Sequence, residues 1–418
     1  MRLLISTLGS SGDVLPFVRI AAQMRRRGHE VFLYANPMHE ALVAPSGAVF
    51  RPVGSAANQL AGQADARITE TQSGLALVAA AVLAQAQPTW AAMRADVRPG
   101  QTLLLGSTFA FGARLLRETA GLPFAAVQLA PSVFRSEYRA PRLTPLGTLE
   151  RWPRALKRLL WRGMDRRFLD PLFTAPLNRL RAELGLPPVE RVMHHWVHEG
   201  EALLGLFPPG FAPRQPDWPA ALQTTGFPLP TEPAPPLAPE LAHFLTSGPP
   251  PIVFTAGTAN RGSQAFYAES AAACARGGHR GLLVAASPDQ LPAQLPAGVL
   301  PITRAPFETL LPRTAGIVHH GGIGTLAQAL AAGIPQLLRP MAYDQFDNAD
   351  LACRLGVARE LLPRVYQGRR LDEELRRLTS DSDWRARCAG ASQTLAQPGG
   401  VEAASDVLER TMRRQVQR

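Results

Sequence analysis

The sequence has few of the features that mark secreted or zinc-binding proteins. Only three of its 418 residues are cysteine (Cys274, Cys353 and Cys388), and no two of them form a CxxC motif. An odd and widely spaced set of this kind predicts neither a disulfide framework nor a zinc site. The cysteine content fits a protein of a reducing cytoplasm.

Long apolar runs are also missing. The longest, residues 75–84, has ten residues, about half of the ~20 that a bilayer span needs. The apolar amino terminus is interrupted by glycines and by Asp13 before a signal-peptide core can form. The sequence therefore predicts no transmembrane segment and a cytoplasmic location, and it leaves open a peripheral contact with the inner membrane face.

The composition is that of a globular protein with a basic surface. Hydrophobic residues make up 46%, and 44 basic against 33 acidic residues give a net charge of +11. This charge suits an anionic ligand, a nucleic acid or an acidic membrane. Because no aromatic-and-basic motif or helix-turn-helix spacing is present, we expect no nucleic-acid partner.

Apolar strand-like runs alternate with helical patterns twice along the chain, which predicts two Rossmann-like α/β domains. Between them, residues 208–239 carry eleven prolines in 32 residues, too many for a regular element. The predicted organisation is an N-terminal Rossmann-like domain (1–207), a proline-rich linker (208–239), a C-terminal Rossmann-like domain (240–400) and a final helix (401–418) that is free to cross back to the first domain.

The stretch VHHGGIGT (318–325) predicts an anion site. A strand ends at the histidines, glycines form the turn, and a helix begins near Thr325. Backbone N–H groups of Gly322, Gly324 and Thr325 would then converge at the helix N-terminus, where His320 can donate to a phosphate oxygen. An ordinary strand–helix turn with a surface histidine pair is the alternative.

Two polar residues follow the next strand. Asp344 and Gln345 would lie at the same carboxyl edge of the sheet as the glycine turn. A carboxylate beside an amide offers both acceptors and donors, which suits sugar hydroxyls. Alternatively, Asp344 is an N-cap of the helix that carries Asn348.

Together these residues resemble a known signature. The run RAPFETLLPRTAGIVHHGGIGTLAQALAAGIPQLLRPMAYDQFDNA (304–349) is similar to the nucleotide-sugar motif of the family 1 glycosyltransferases. The likeness extends to GSSGDVLPF, FTAGT and DWPAALQTTGFPL, and within the family it is greatest to the rhamnosyltransferase B subunits of bacterial rhamnolipid synthesis. It implies the GT-B fold, two Rossmann-like domains that face each other across a cleft.

The resemblance also implies roles for individual residues. It makes His320, Gly322, Gly324, Thr325, Gly257 and Thr258 ligands of the donor diphosphate, and Asp344 and Gln345 ligands of the donor sugar. Where many relatives place a tryptophan on the donor base, this chain has Arg304, Ala305 and Phe307. The acceptor side would include Ser11, Phe109 and Phe111. No metal or other cofactor is expected.

Asp13 follows the first glycine turn. In the family a residue at this place removes the proton of an alcohol acceptor as the acceptor attacks the anomeric carbon, so the resemblance makes Asp13 the general base. From the sequence alone, an equally good interpretation is that Asp13 caps a helix beginning at Pro16.

The predicted activity is that of an inverting, metal-independent glycosyltransferase. The best match is transfer of rhamnose from dTDP-rhamnose to the hydroxyl of a hydrophobic, lipid-like alcohol. A UDP-glucose-dependent transferase of small aromatic or terpenoid aglycones is one alternative. A nucleotide-sugar-binding partner subunit without turnover is the non-enzymatic alternative.

Two further patterns have more than one interpretation. His194 and His198 stand at i, i+4 near Glu199, which suits a metal site or, more simply, a polar helix face. Residues 151–168 place arginines on one helical face and apolar residues on another. Such a helix can lie on a membrane, line an acceptor mouth or pack with its basic side in solvent.

Overall fold

A computed structural model describes residues 1–231, 235–258 and 262–416, and they form two α/β units. The first sheet is parallel, in the order β3-β2-β1-β4-β5-β6-β7: β1 (Arg2–Ser6), β2 (Glu30–Ala35), β3 (Val49–Pro52), β4 (Thr102–Gly106), β5 (Phe124–Gln128), β6 (Ala202–Gly205) and β7 (Leu222–Thr224). The second is also parallel, in the order β10-β9-β8-β11-β12-β13: β8 (Ile252–Thr255), β9 (Gly281–Val284), β10 (Val299–Ile302), β11 (Gly316–His319), β12 (Gln336–Leu338) and β13 (Ala358–Glu360).

Helices cover the faces of both sheets. Those that precede the second sheet are α1 (Ser11–Arg26), α2 (Glu40–Val43), α3 (Ala56–Ala64), α4 (Thr71–Ala95), α5 (Phe111–Ala120), α6 (Arg154–Met164), α7 (Ala175–Glu183) and α8 (Pro239–Thr246). A π-helical segment, Asp165–Thr174, joins α6 to α7. The others are α9 (Gln264–Gly277), α10 (Phe307–Leu310), α11 (Ile323–Ala331), α12 (Gln345–Arg354), α13 (Gly368–Ser380), α14 (Ser382–Leu395) and α15 (Gly400–Val416).

Each sheet has one switch point, where successive connections run to opposite sides. It lies between β1 and β4 in the first sheet and between β8 and β11 in the second. Ligands of doubly wound folds bind outside the carboxyl ends of the strands at such points. Asp13 follows β1, Gly257 follows β8 and His320 follows β11. The predicted fold class is confirmed, and it brings these predicted site residues to the two switch points.

The proline-rich segment is partly inside the first domain. β7 lies within the predicted linker 208–239 and pairs with β6, while Phe211 and Trp218 are buried in the core. The linker is therefore shorter than predicted, because the prolines flank a three-residue strand without interrupting it. At the other end of the chain, α15 packs against α1, and Arg27 Nη1 lies 2.7 Å from Asp406 Oδ1.

The first helix begins earlier than predicted. It starts at Ser11, with Ser10 as its N-cap, and contains Pro16. Proline at this place removes one backbone hydrogen bond, the one to the carbonyl of Gly12, and the helix continues through it. Asp13 is consequently a first-turn residue of the helix and does not precede it.

Ion pairs connect the two domains. Residues 136–150, which we call the strap, run from the first domain along α12. Arg139 Nη2 lies 2.8 Å from Asp347 Oδ1, Arg142 forms a two-pronged pair with Glu360, and Glu150 Oε1 lies 2.7 Å from Arg354. The strap thus fixes the position of α12 relative to the first domain.

One helix is longer and more apolar than its ten-residue apolar run indicated, by length and composition only. Among the described residues, 72–95 of α4 are long and apolar enough to cross a membrane, with a mean hydropathy of 1.3. Alanines and uncharged polar residues extend the ten-residue apolar run. The mean hydropathy of the whole helix is therefore a better measure of its apolar character than the length of that run. On its buried side, Val82 and Ala86 share a cluster with Phe111 and Leu115 of α5.

Candidate active site

The ring of His320 is held between two glycine turns. A Cβ on Gly257 would lie 2.5 Å from His320 Cε1, and a Cβ on Gly322 would lie 2.4 Å from His320 Nε2. Real Cβ atoms do not approach so closely, and Gly257 also has a φ of +79°. Only glycine at both positions therefore leaves room for the imidazole.

The N-terminus of α11 presents free backbone donors beside this ring. The first helical bond is from Leu326 N–H to the Gly322 carbonyl, at 3.0 Å, so the N–H groups of Ile323, Gly324 and Thr325 have no acceptor within the helix. Together with the helix dipole they favour an anion. The helix begins at Ile323 and not near Thr325, and the diphosphate cradle at its N-terminus stays a prediction.

Burial lowers the pKa of His320 to about 4, and its Nδ1 has no partner among the described residues. The ring is therefore neutral near pH 7, while part of its surface remains open. Its neighbour differs: His319 is fully buried, accepts the N–H of Gly321 at Nδ1 (3.1 Å) and contacts Gln336 through Nε2. His319 shapes the turn, and His320 is the residue able to meet a ligand.

Asp344 and Gln345 have different surroundings. Asp344 stands at the N-cap position of α12 but makes no capping bond with its side chain, and its Oδ2 accepts from Asn348 Nδ2 at 2.7 Å. The Oε1 of Gln345 accepts from the N–H groups of Met341 (2.9 Å) and Ala342 (3.3 Å). The amide oxygen of Gln345 therefore holds the loop, and its NH₂ group is the part that can donate to a sugar.

The carboxylate of Asp13 closes a capping box with Ser10. Its Oδ2 accepts from Ser10 N–H at 2.7 Å and from Ser10 Oγ at 2.9 Å. These bonds leave Oδ1 for another donor, so capping and proton acceptance use different oxygens of one group. A Cβ on Gly9 would lie 2.3 Å from Asp13 Oδ2, which explains the glycine just before the cap.

His39 is a further residue beside Asp13, and no sequence motif predicted it there. It lies in the loop after β2, and its Nε2 is 3.2 Å from the carbonyl oxygen of Gly9, the residue that packs on Asp13. Burial lowers the pKa of His39, while the charge of Asp13 opposes this shift. The sequence did contain one signal for His39. It follows β2, the strand next to β1, and therefore lies at the same carboxyl edge of the sheet as Asp13.

Two carboxyl groups from different domains face one cleft. Burial, with a smaller contribution from the charge of Asp13, raises the pKa of Asp344 to about 6. Burial also raises the pKa of Asp13, although its hydrogen bonds from Ser10 oppose this. The charge of Asp13 thus makes ionisation of Asp344 more costly, as expected for neighbouring like charges.

We expect Asp344→Asn to stabilise the ligand-free protein at pH 7.5 by about 1 to 3 kcal/mol. Its pKa is about 6 in the fold against 3.8 ordinarily, so ionisation destabilises the folded state above about pH 6. As the pH falls from 6 to 4 this destabilisation of the folded state becomes smaller, and below pH 4 it is absent. Urea unfolding at pH 7.5 and 4 measures the difference, which should vanish at the lower pH.

The matched control is Asp347→Asn, three residues along. Asp347 is fully buried, and burial raises its pKa as well, but the paired Arg139 opposes that rise, so Asp347→Asn should stabilise the protein at pH 7.5 by less than Asp344→Asn does. A loss of stability in Asp344→Asn at pH 7.5 would contradict the assigned burial effect.

The predicted base and acceptor residues lie at the expected edges. Arg304 is exposed, and Ala305 and Phe307 are half-buried, after β10 at the carboxyl edge of the second sheet. Ser11 begins α1 beside Asp13. Contact of these residues with donor or acceptor stays a prediction.

A small cavity of about 10 Å³, roughly the space of one water molecule, lies in the first domain between the loop after β1 and α4. Its lining includes Leu8, Val82, Phe109 and Phe111. Phe111 is only 1% exposed and packs edge-on against Trp196, 5.0 Å between ring centroids. Phe111 therefore supports the cavity from the core, whereas Phe109 is only partly covered and is the better placed of the two to meet an acceptor.

The histidines at 194–198 do not lie on an α-helix. They occupy turns and a short 3₁₀ segment, and His198 stacks on Phe134 and contacts the Gln128 amide at 3.2 Å. The interpretation as a polar helix face is therefore wrong, since the ring of His198 packs inside the domain. Among residues 1–231, 235–258 and 262–416, no group of three or more His, Cys, Asp or Glu is arranged to hold a metal ion.

Comparisons with known proteins agree with this site. Residues 282–410 match the family described as erythromycin biosynthesis protein CIII-like, C-terminal domain. The chain is 31% identical to O-mycaminosyltylonolide 6-deoxyallosyltransferase of Streptomyces fradiae, over 98% of this chain and 97% of the relative. It is 31% identical to vancomycin aglycone glucosyltransferase of Amycolatopsis orientalis, over 85% of each.

Solved structures show the same fold. The glycotransferase of kitacinnamycin superposes with a TM-score of 0.74 at 20% identity, over 98% of this chain and 99% of that one. The glycosyltransferase VinC in complex with dTDP superposes with a TM-score of 0.69 at 20% identity, over 99% and 100%. The chain therefore belongs to family 1 of the GT-B glycosyltransferases, and it is a nucleotide-sugar-dependent transferase of the antibiotic and secondary-metabolite type.

Proposed function

We propose that this protein is an inverting glycosyltransferase that moves a deoxyhexose, rhamnose in the first instance, from a dTDP-sugar to the hydroxyl of a hydrophobic, lipid-like alcohol. The observation that carries the proposal is the juxtaposition across the cleft. The neutral imidazole of His320 and the N-terminus of α11 lie on one side of the cleft. The carboxylate of Asp13 lies on the other side and interacts electrostatically with Asp344.

The groups divide the reaction between them. The N–H donors of α11 and His320 would bind the donor diphosphate and stabilise the charge that develops as it leaves. Asp344 and the amide NH₂ of Gln345 would bind the sugar hydroxyls. Asp13 would accept the proton of the acceptor alcohol as its oxygen attacks the anomeric carbon from the opposite face, which inverts the configuration.

The preference for a dTDP-deoxyhexose rests on relatives. The Streptomyces fradiae relative is named a 6-deoxyallosyltransferase, and another Amycolatopsis orientalis relative, 29% identical over 85% of this chain, is named dTDP-epi-vancosaminyltransferase. The resemblance to rhamnosyltransferase B subunits supports rhamnose as the sugar.

A second candidate has its own support. The vancomycin aglycone glucosyltransferase is a relative whose name indicates transfer of glucose to an aglycone. Transfer of glucose from UDP-glucose to a small aromatic or terpenoid aglycone is therefore the alternative activity. The side chains around Phe109 are apolar and small polar, and their chemistry favours neither acceptor over the other.

A donor panel tests the proposal. Thermal shift and slow donor hydrolysis would be measured with dTDP-rhamnose, dTDP-glucose, UDP-glucose and UDP-N-acetylglucosamine. Selective stabilisation and hydrolysis with dTDP-rhamnose support the proposal, whereas a preference for UDP-glucose favours the second candidate. Donor binding without hydrolysis or transfer to any acceptor would favour a non-catalytic partner subunit.

We expect transfer to continue in the presence of EDTA at close to its full rate. In the proposed mechanism, His320 and the N–H groups of α11 stabilise the leaving diphosphate in place of a divalent cation. Initial rates with EDTA, with Mg²⁺ and with neither would be compared, and a strict requirement for Mg²⁺ would contradict this role of the helix terminus.

A further inference from the structure

An apolar strip lies exposed on α6 and just before it. Leu159 is 66% exposed, Trp152 45% and Leu156 43%. Leu156 and Leu159 are three residues apart, so they project from one side of the helix. Contiguous exposed patches of large apolar side chains mark interaction sites on soluble proteins.

Unpaired arginines surround the strip. Among the described residues, no carboxylate lies within 4 Å of Arg151, Arg162, Arg166 or Arg167, and Arg154 instead stacks on Tyr138. Of the nearby acidic residues, Asp165 is buried and paired with Arg135 and Arg191, and Glu137 is paired with Arg158. The local charge is therefore strongly positive around an apolar centre.

The helix leads directly to the cavity beside Phe109. α6 continues into the π-helical segment Asp165–Thr174, in which Phe173 packs against the ring of Phe109 with centroids 6.3 Å apart. One continuous helical rod thus has the exposed strip at one end and the contact with Phe109 at the other.

We propose that Trp152, Leu156 and Leu159, with the arginines around them, form a docking surface for an anionic phospholipid membrane. The apolar side chains enter the boundary between headgroups and acyl chains, while the arginines meet lipid phosphates. Tryptophan is the residue most suited to that boundary, since its ring is apolar and its N–H is polar. With eleven residues, α6 is too short to span a bilayer and lies along its surface.

Charge and shape favour a lipid surface over a protein partner. The strip is convex, because it runs along the outside of a single helix, and it has positive charge along one flank and beyond its C-terminal end, at Arg166 and Arg167. A membrane presents negative charge to every part of such a surface at once. The proposal goes beyond the transferase activity, and vesicle binding can be measured without turnover.

Sedimentation with vesicles tests the surface. The full chain would be mixed with vesicles of phosphatidylcholine alone or of phosphatidylcholine with phosphatidylglycerol. We expect binding to the second only, weakened by salt. Leu156→Ser with Leu159→Ser, and separately Arg151→Gln with Arg162→Gln, should each reduce binding by about tenfold or more.

The matched control is Arg369→Gln with Arg370→Gln, which removes two exposed charges from α13 in the other domain. It should bind within about twofold of wild type. Absence of binding to anionic vesicles, or equal loss in the control, would overturn the proposal. Circular dichroism verifies folding, and donor hydrolysis in vesicle-free buffer reports separately on the proposed transferase function.

Discussion

Replacing Asp13 by asparagine is expected to reduce the rate of transfer to an alcohol by about 10² to 10⁴-fold, while the protein folds and still binds donor. The amide is nearly isosteric, and its oxygen can still accept the bonds from Ser10 that close the capping box. What it lacks is the basicity needed to take the acceptor proton. Steady-state rates and donor titration measure the two effects separately.

Ser10→Ala is the matched control for the capping role. It removes the Oγ bond to Asp13 but keeps the carboxylate, so it should lower thermal stability and leave the rate within about tenfold of wild type. A thiol analogue of the acceptor is a second control, because a thiol is already partly ionised and should depend less on the base. Near-wild-type transfer by Asp13→Asn would leave Asp13 as a helix cap only.

The second large effect is expected at His320. His320→Ala should weaken binding of the donor and of the free nucleoside diphosphate by about 5- to 150-fold, the equivalent of one lost hydrogen bond of about 1 to 3 kcal/mol to a phosphate oxygen. Because the pKa of the ring is about 4, the imidazole is neutral from pH 6 to 8. The loss should therefore be similar at both ends of that range.

Calorimetric titration with dTDP and with the intact donor measures this effect. His279→Ala is the matched control, since it removes an imidazole from the same domain, in the turn between α9 and β9, away from the glycine turns. Unchanged diphosphate affinity in His320→Ala, or an equal loss in His279→Ala, would exclude a direct contact with the phosphates.

Central strands could be predicted because both of their faces are covered. All residues of β1, β4 and β5 are buried, and their sequences are short apolar runs. The edge strands β3 and β7 bury fewer residues, so they lack that signal. β7 also stands among prolines, which explains why its segment was interpreted as linker.

The residues of the candidate site could likewise be predicted only where their contacts are local in sequence. The glycine turn and His320 are local in sequence, and their geometry follows from a strand, a turn and a helix. Contacts between distant residues left no such pattern: Arg139 and Asp347 are 208 positions apart, and His39 reaches the Gly9 carbonyl across 30. The side-chain contacts that hold Gln345 and Asp344 also depend on loop conformation, which the sequence alone does not specify.

The strap has a consequence for chimeric enzymes. An exchange of whole domains at the linker would separate Arg139 and Arg142 from Asp347 and Glu360, although all four lie far from the junction in sequence. Asp347 is fully buried, so without Arg139 its carboxylate would have no opposite charge beside it, at a cost typical of a broken buried ion pair. The helix affected is α12, which starts at Gln345. A hybrid that keeps α12 in its native position must therefore inherit residues 136–150 from the same parent as its C-terminal half.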